Sequence, residues 1–343
     1  MPRTHRSTMR TDSLIAKPTG ICYEQPVIQK NETYGGFQDM LRYLPGPVRG
    51  SLSFLLYVIN TIFWTTPLFI VAFLKLIIPV KGWRKFCNIV LNGLANNWIA
   101  VNNFNQWFTN KIEWDVTGLE NLKRNEWYMV LSNHQSWVDI LVLQKIFYRK
   151  IPFLKFFIKK ELIWVPVIGL AWWALDFPFM KRYSSAFLKK NPHLKGKDLE
   201  TTIKACEKFK TIPMSVMNFV EGTRFTAAKH RKQGSPHMNL LKPRAGGTAF
   251  VFQAMGEQIH RIIDVTIAYP GGAKGFWQFL CGKVHEIKVR VTSYPVSNEL
   301  LGDYFNDGEF RERFQEWLNT LWEEKDRRIE GLLQSGAIQS GGR

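Results

Sequence analysis

The chain has 343 residues, 45% hydrophobic and 14% aromatic, with a formal net charge of +18. That length suits one large domain or two small ones with a sizeable core. The four cysteines are scattered without a CxxC pair, which argues against a zinc site or disulfide framework and fits a reducing compartment.

The positive charge is concentrated. Residues 145–197 carry twelve Lys/Arg against two acids and residues 222–256 carry six against none, while residues 299–330 are acidic by five. A concentrated basic surface implies an anionic partner such as phospholipid, a phosphorylated substrate, coenzyme A or nucleic acid.

Residues 1–50 are polar and basic and read as a disordered cytosolic tail, without the pattern of a signal peptide. Residues 51–80 are apolar, with Lys75 as their one charge. As a single helix this run would extend roughly 45 Å, more than the ~30 Å hydrocarbon core. Thr65-Thr66-Pro67 lies near its middle, where proline breaks or kinks a helix. Arg42 and Arg49 precede the run, and Lys81, Arg84 and Lys85 follow it. A kinked single span and a hairpin dipping into one leaflet both fit, and positive charge on both flanks favours the hairpin. Residues 81–110 have helical spacing and predict a helix linking this anchor to a domain at 111–335, with a short tail at 336–343.

From residue 112 the pattern alternates. It predicts strands over 112–116, 128–132, 156–159, 177–180, 214–219, 262–268 and 284–291. It predicts helices over 138–147, 170–175, 199–210, 247–255 and 305–332. Strands alternating with helices indicate an α/β sandwich with a largely parallel sheet.

Asn133-His134-Gln135-Ser136-Trp137-Val138-Asp139 falls between the strand at 128–132 and the helix that follows. Strand-to-helix turns of open α/β sheets commonly carry chemistry. A histidine held by a carboxylate is a ready general base near neutral pH. Taken alone, a histidine near a strand end is more often structural than catalytic. Further along, an apolar strand runs into Glu221-Gly222-Thr223-Arg224, where glycine permits a tight turn and an arginine fork beside free N–H groups suits a phosphate. Asp176 to Arg182 is an apolar strand ending in two cations, and Val265 to Pro270 is an apolar strand closing on proline. No metal-ligand constellation appears, and no nucleic-acid-binding signature accompanies the basic charge.

In order and combination these blocks resemble the PlsC-type 1-acylglycerol-3-phosphate acyltransferases. Asn133–Asp139 matches the family's NHxxxxD motif, Phe179–Arg182 its second block, Glu221–Arg224 its EGTR block and Val265–Pro270 its fourth. Residues 156–162 resemble the family's strand-end lysine element. Pro178–Arg182, Asn218–Thr226 and Trp317–Arg327 look more narrowly like the YihG-type acyltransferases of Gram-negative bacteria. Two positions depart from the family pattern: Val220 stands where proline is usual, and the second block lacks its usual glycine.

The resemblance implies a membrane enzyme on the cytosolic face of a bacterial inner membrane. His134 would act as base and Asp139 would orient it. Lys159, Arg182, Glu221, Gly222, Thr223 and Arg224 would bind substrate, with Glu221 either binding or holding its loop. Backbone N–H groups near Gly222 or after Ser136 would stabilise the oxyanion. The residues at 163–175, including Trp172 and Trp173, would line an acyl groove or pack in the core. Acyl-CoA or acyl-carrier protein would serve as co-substrate, with no cofactor or metal, and a lysophospholipid as acceptor. Acylation of another lysophospholipid or of glycerol 3-phosphate, and an RNA- or protein-binding role on the same fold, are the alternatives.

Overall fold

The computed structural model describes residues 43–156, 158–177, 179–180, 212–256 and 258–340. The helix expected over 199–210 and Arg182 lie outside them. Two long helices come first, α1 (Gly46–Ile77) and α2 (Lys81–Thr109), packed antiparallel as a hairpin. The apolar run is therefore not itself a hairpin broken at Pro67. It is one continuous helix with Pro67 inside, and α2 supplies the returning arm.

Packing on both sides of Pro67 accounts for this. Toward the C-terminus Leu68 and Ala72 pack on Leu91 and Ala95 of α2. Toward the N-terminus Asn60 Nδ2 donates to Asn102 Oδ1 at 2.8 Å and to the Trp98 carbonyl at 3.0 Å, and Asn105 Nδ2 donates to the Ser53 carbonyl at 3.0 Å. Such amide bonds fix register inside an otherwise apolar pair. The helix begins five residues earlier than the expected anchor, at Gly46 rather than Ser51.

The domain is a six-stranded sheet in the order β1 (Glu113–Thr117), β8 (Glu286–Pro295), β7 (Arg261–Ala268), β2 (Tyr128–Ser132), β6 (Ser215–Phe219), β3 (Leu154–Phe156). Every ladder is parallel except β7–β8. The strand expected over 156–159 is divided. β3 joins the main sheet, whereas β4 (Ile158–Lys159) pairs with β5 (Phe179–Met180) in a separate two-stranded sheet.

Alternation along β2 explains the two-sided core. Tyr128 and Val130 join one layer with α3 (Val138–Phe147), α7 (Phe276–Leu280) and Tyr57 of α1. Met129 and Leu131 join the opposite layer with α6 (Ala245–Met255) and α8 (Gly308–Ser340). The stripe Phe310, Phe314, Leu318, Trp322 of α8 is core packing, each side chain buried. α8 runs on to Ser340, so the expected tail from 336 begins as helix. Two shorter α-helices, α4 (Ile168–Ala174) and α5 (Ala227–Gln233), complete the α-helices among the described residues, and α4 packs on α1.

Candidate active site

β2 lies between β6 and β7, parallel to both, so three loops leave the same end of the sheet. Ser132 is in register with Phe219 of β6 and Val265 of β7. His134, Glu221 and Tyr269 therefore emerge together, although they are distant in sequence. Asn133 locks this junction: its Nδ2 donates to the Ile267 carbonyl and its Oδ1 accepts from Ile267 N, both at 2.9 Å. The side chain thus continues the β2–β7 ladder by one rung.

The five-residue spacing places Asp139 in the first turn of α3, fully buried, with its carboxylate turned back to the loop. Four donors converge on it. Oδ2 accepts from Gln135 N at 2.6 Å and Ser136 N at 2.9 Å, and bonds to His134 Nδ1 at 2.8 Å. Oδ1 accepts from the Tyr269 hydroxyl at 2.6 Å. A carboxylate so placed also favours the helix N-terminus electrostatically. The bond to Asp139 assigns the Nδ1–H tautomer to a neutral His134, and Nε2 is left as an acceptor with no partner among the described residues. The imidazole stacks on Phe219, with centroids 3.8 Å apart and planes at 13°, which sets the direction of Nε2.

Of the two roles expected for Glu221, binding substrate or holding its loop, its contacts are of the second kind. It is wholly buried, and both carboxylate oxygens accept backbone N–H bonds: Oε1 from His134 and Oε2 from Leu241, each at 2.9 Å. Burial pushes its carboxyl up to about 7, against the opposing effect of those two N–H groups. It ties the His134 loop to the loop that carries Leu241. The loop is tied a second time where Phe225 N donates to the His134 carbonyl at 2.7 Å.

Gly222 sits at φ +68°, a conformation glycine adopts without penalty, and its N–H is consumed by the Phe219 carbonyl at 2.8 Å. The N–H groups of Gln135 and Ser136 are taken by Asp139, and after Ser136 those of Val138 and Asp139 bond to the Ser136 hydroxyl and carbonyl. Thr223 Oγ1 accepts from Lys229 Nζ at 2.7 Å, which braces the turn. Arg224 projects beside the site, its guanidinium 4.6 Å from the Trp137 ring centroid. Trp137 belongs to the catalytic turn itself, so the arginine and the histidine share one wall. Lys159 is exposed at the end of β4, on the small sheet, and has no contact with the dyad among the described residues.

Tyr269 is a site residue that sequence reasoning took only for part of a core strand. Its one signal was a polar-tipped aromatic immediately before the turn proline. A buttress from α8 was also not foreseen. Asp326 accepts from Met238 N at 2.6 Å and Asn239 N at 2.8 Å, fixing the loop whose Leu241 bonds Glu221. The wholly buried Lys325 pairs with Asp264 at 2.5 Å and donates to the Val265 carbonyl at 2.5 Å. Arg328 bonds the other Asp264 oxygen at 2.9 Å.

Fold and site together define an α/β domain built around a carboxylate-held histidine, with a cationic turn on the neighbouring strand end. Residues 113–269 match the family model described as Acyltransferase. Human 1-acyl-sn-glycerol-3-phosphate acyltransferase gamma is 28% identical over 189 residues, covering 52% of this chain and 45% of that one. The 2-acyl-1-lysophosphatidylinositol acyltransferase of Saccharomyces cerevisiae is 26% identical over 268 residues, 65% of each chain. The crystal structure of the 1-acyl-sn-glycerophosphate (LPA) acyltransferase PlsC from Thermotoga maritima gives a TM-score of 0.48 at 19% identity, over 84% of this chain and 97% of that one. The chain spans roughly half to two thirds of the curated relatives' length, from 45% to 65% in these two cases. Over its α/β domain the chain is thus similar to acyltransferases.

Proposed function

We propose that the chain transfers an acyl group from acyl-CoA or acyl-carrier protein to the free hydroxyl of a lysophospholipid, with 1-acylglycerol 3-phosphate as acceptor and phosphatidic acid as product. The observation that carries this reading is the bond from His134 Nδ1 to Asp139, which leaves Nε2 free to act as base. Nε2 takes the acceptor hydroxyl's proton as the oxygen attacks the thioester carbonyl. The tetrahedral intermediate collapses with cleavage of the C–S bond, and the imidazolium returns the proton to the departing thiolate. Asp139 holds the tautomer and stabilises the transient cation.

No acyl-enzyme is required. The nearby hydroxyls of Ser132 and Ser136 are bonded to the carbonyls of Asn133 and Lys274, which argues against a serine nucleophile. The N–H groups of Thr223 and Arg224 have no partner among the described residues and are our candidates for oxyanion donors. Arg224 binds the acceptor's phosphate in this reading, with Lys159 and Arg182 as further cations.

For location we propose monotopic attachment to the cytosolic face of a bacterial inner membrane. α1 is long and apolar enough to cross a bilayer, with mean hydropathy 1.8 in its most apolar window. However, it packs on α2, α4 and α7 along its length, and its Lys75 pairs with Asp176 at 2.5 Å. Its outer face exposes Phe54, Leu55, Ile59, Ile62, Phe63, Phe73 and Ile77, and Leu170 and Trp173 of α4, which packs on α1, are exposed as well, as is Trp164 just before α4. An apolar face of this kind on a helix held flat against its domain suits insertion into one leaflet.

The test is an acceptor panel with the purified protein and acyl-CoA. Transfer to 1-acylglycerol 3-phosphate is expected. Transfer only to lysophosphatidylinositol, the substrate class named for the yeast relative, would change the acceptor, and transfer to no acceptor would overturn the enzyme reading.

A further inference from the structure

We propose a second phosphate-binding site, for the headgroup of an anionic phospholipid, in the cleft between α2 and the segment that joins α3 to β3. The cleft encloses about 410 Å³ and is lined by Gly93, Asn96 and Asn97 of α2, Arg124, Arg149 and Ile151-Pro152-Phe153. It is distinct from the acyl-transfer site. His134 precedes the N-terminus of α3 and Arg149 follows its C-terminus, ten helical residues or roughly 15 Å away. At the other strand end, Phe156 closes β3 against Phe219, the ring stacked on His134, whereas Phe153 precedes β3.

The lining has two guanidiniums and no carboxylate. Arg124 Nε donates to the Arg149 carbonyl at 2.5 Å, and its terminal N–H groups have no partner among the described residues. The Arg149 guanidinium lies over the Tyr148 ring at 5.2 Å and pairs with no acid among the described residues. Arg149 itself is held at φ +57°, a left-handed conformation that arginine rarely adopts. Asn96 Nδ2 is bonded to the Asn92 carbonyl at 2.9 Å, while the Asn97 amide is unengaged among the described residues. Two forks and an amide facing one volume are the donors that a phosphate takes up.

The lipid source follows from the helix face. Phe86, Ile89, Gly93, Asn97 and Phe104 follow one another at spacings of three, four, four and seven residues, and Asn96 adjoins Asn97, so they share one side of α2. Phe86, Ile89 and Phe104 are exposed. Polar donors are thus flanked along the same face by bare apolar side chains, matching a headgroup with its acyl chains. This choice of source rests on the monotopic attachment proposed above; the anion site itself does not.

Native mass spectrometry of the full chain in detergent, with dioleoylphosphatidylglycerol or dioleoylphosphatidylcholine added, tests the proposal. One phosphatidylglycerol retained in preference to phosphatidylcholine is expected. Retention should fall about tenfold or more in Arg124→Gln/Arg149→Asn, asparagine being tolerated at positive φ. Asn97→Asp leaves both arginines in place and should also reduce retention by repulsion, so the result does not depend on the double variant folding. Arg231→Gln/Lys232→Gln on exposed α5 removes the same charge elsewhere and should retain the lipid. Equal loss in that control would reduce the effect to net charge and overturn the site. Binding of inorganic phosphate without retained phosphatidylglycerol would overturn the lipid as its source. Turnover measured on the same samples reports separately on the His134 reading.

Discussion

The hydroxyl of Tyr269 donates to Asp139 at 2.6 Å across 130 residues of sequence, filling the carboxylate oxygen that His134 leaves free. Tyr269 is buried, and its hydroxyl is pushed well above its usual range by burial and by the neighbouring carboxylate, so it remains a donor throughout the working pH range. It acts through Asp139 as a positioning residue. Tyr269→Phe should lower kcat roughly tenfold, corresponding to about 1.4 kcal/mol, with the acceptor KM unchanged. Steady-state kinetics with acyl-CoA and 1-acylglycerol 3-phosphate measure the split. A raised KM with unchanged kcat would assign Tyr269 to binding.

His134→Ala should abolish acyl transfer while flotation with liposomes is preserved, because the apolar face of α1 lies outside the dyad. Asp139→Asn should reduce kcat by about 10³-fold or more, since the amide favours the wrong imidazole tautomer and weakens the bonds from Gln135 and Ser136. Retained turnover in His134→Ala would remove it as the base.

Arg224→Ala should raise the KM for a phosphorylated acceptor about tenfold or more and leave the KM for acyl-CoA unchanged. Arg224→Lys should recover only part of the effect, because a point charge replaces a bidentate fork and loses the stacking on Trp137. Equal effects on both substrates would instead make Arg224 a structural contact.

The buried Glu221 carboxyl rises from an ordinary 4.5 to about 7. Its folded form therefore holds the proton more tightly than its unfolded form. The associated stabilisation is fully present below about pH 4.5 and is lost as pH rises through about 7, an effect of order 3 kcal/mol. Thermal midpoints of wild type should accordingly fall more between pH 5 and pH 8 than those of Glu221→Gln. Parallel curves for the two proteins would mean that Glu221 does not titrate in this window.

Lys325→Met should destabilise the domain by about 3 kcal/mol, because it removes the partner of the buried Asp264 Oδ1 and leaves the carboxylate to Arg328 alone. Combining it with Asp264→Asn should restore part of that loss by removing a buried charge that has lost one of its two cations, while leaving an acceptor for Arg328. Chemical denaturation of the three variants measures this. Additive losses in the double variant would show that the two groups do not depend on each other.

Much of the site was legible in the residues themselves. β2 and α3 have the bounds that their apolar patterns indicate, because both are continuous and flanked by polar turns. A spacing of five residues was enough to bring the Asp139 carboxylate back to His134. Proline chemistry misled the reading of 51–80. Pro67 is a local breaking signal, but helix contacts before and after it outweigh one missing backbone bond. The split between β3 and β4 was equally invisible, since a two-residue pairing with β5 depends on a distant segment.

The local sequence determined the His134–Asp139 pair and the arginine-bearing turn, because each is set by neighbours a few residues away. Tertiary structure alone decided what surrounds them. Glu221 reads identically in sequence whether it faces a substrate or two backbone N–H groups, and only the β2–β6 register turns it inward to His134 and Leu241. Tyr269 reaches Asp139 because β7 runs beside β2, and Asp326 reaches the 238–241 loop because α8 packs across that sheet. Hydrogen bonds act over about 3 Å, so which distant groups meet is fixed by strand order and packing and is not recorded in any local stretch of residues.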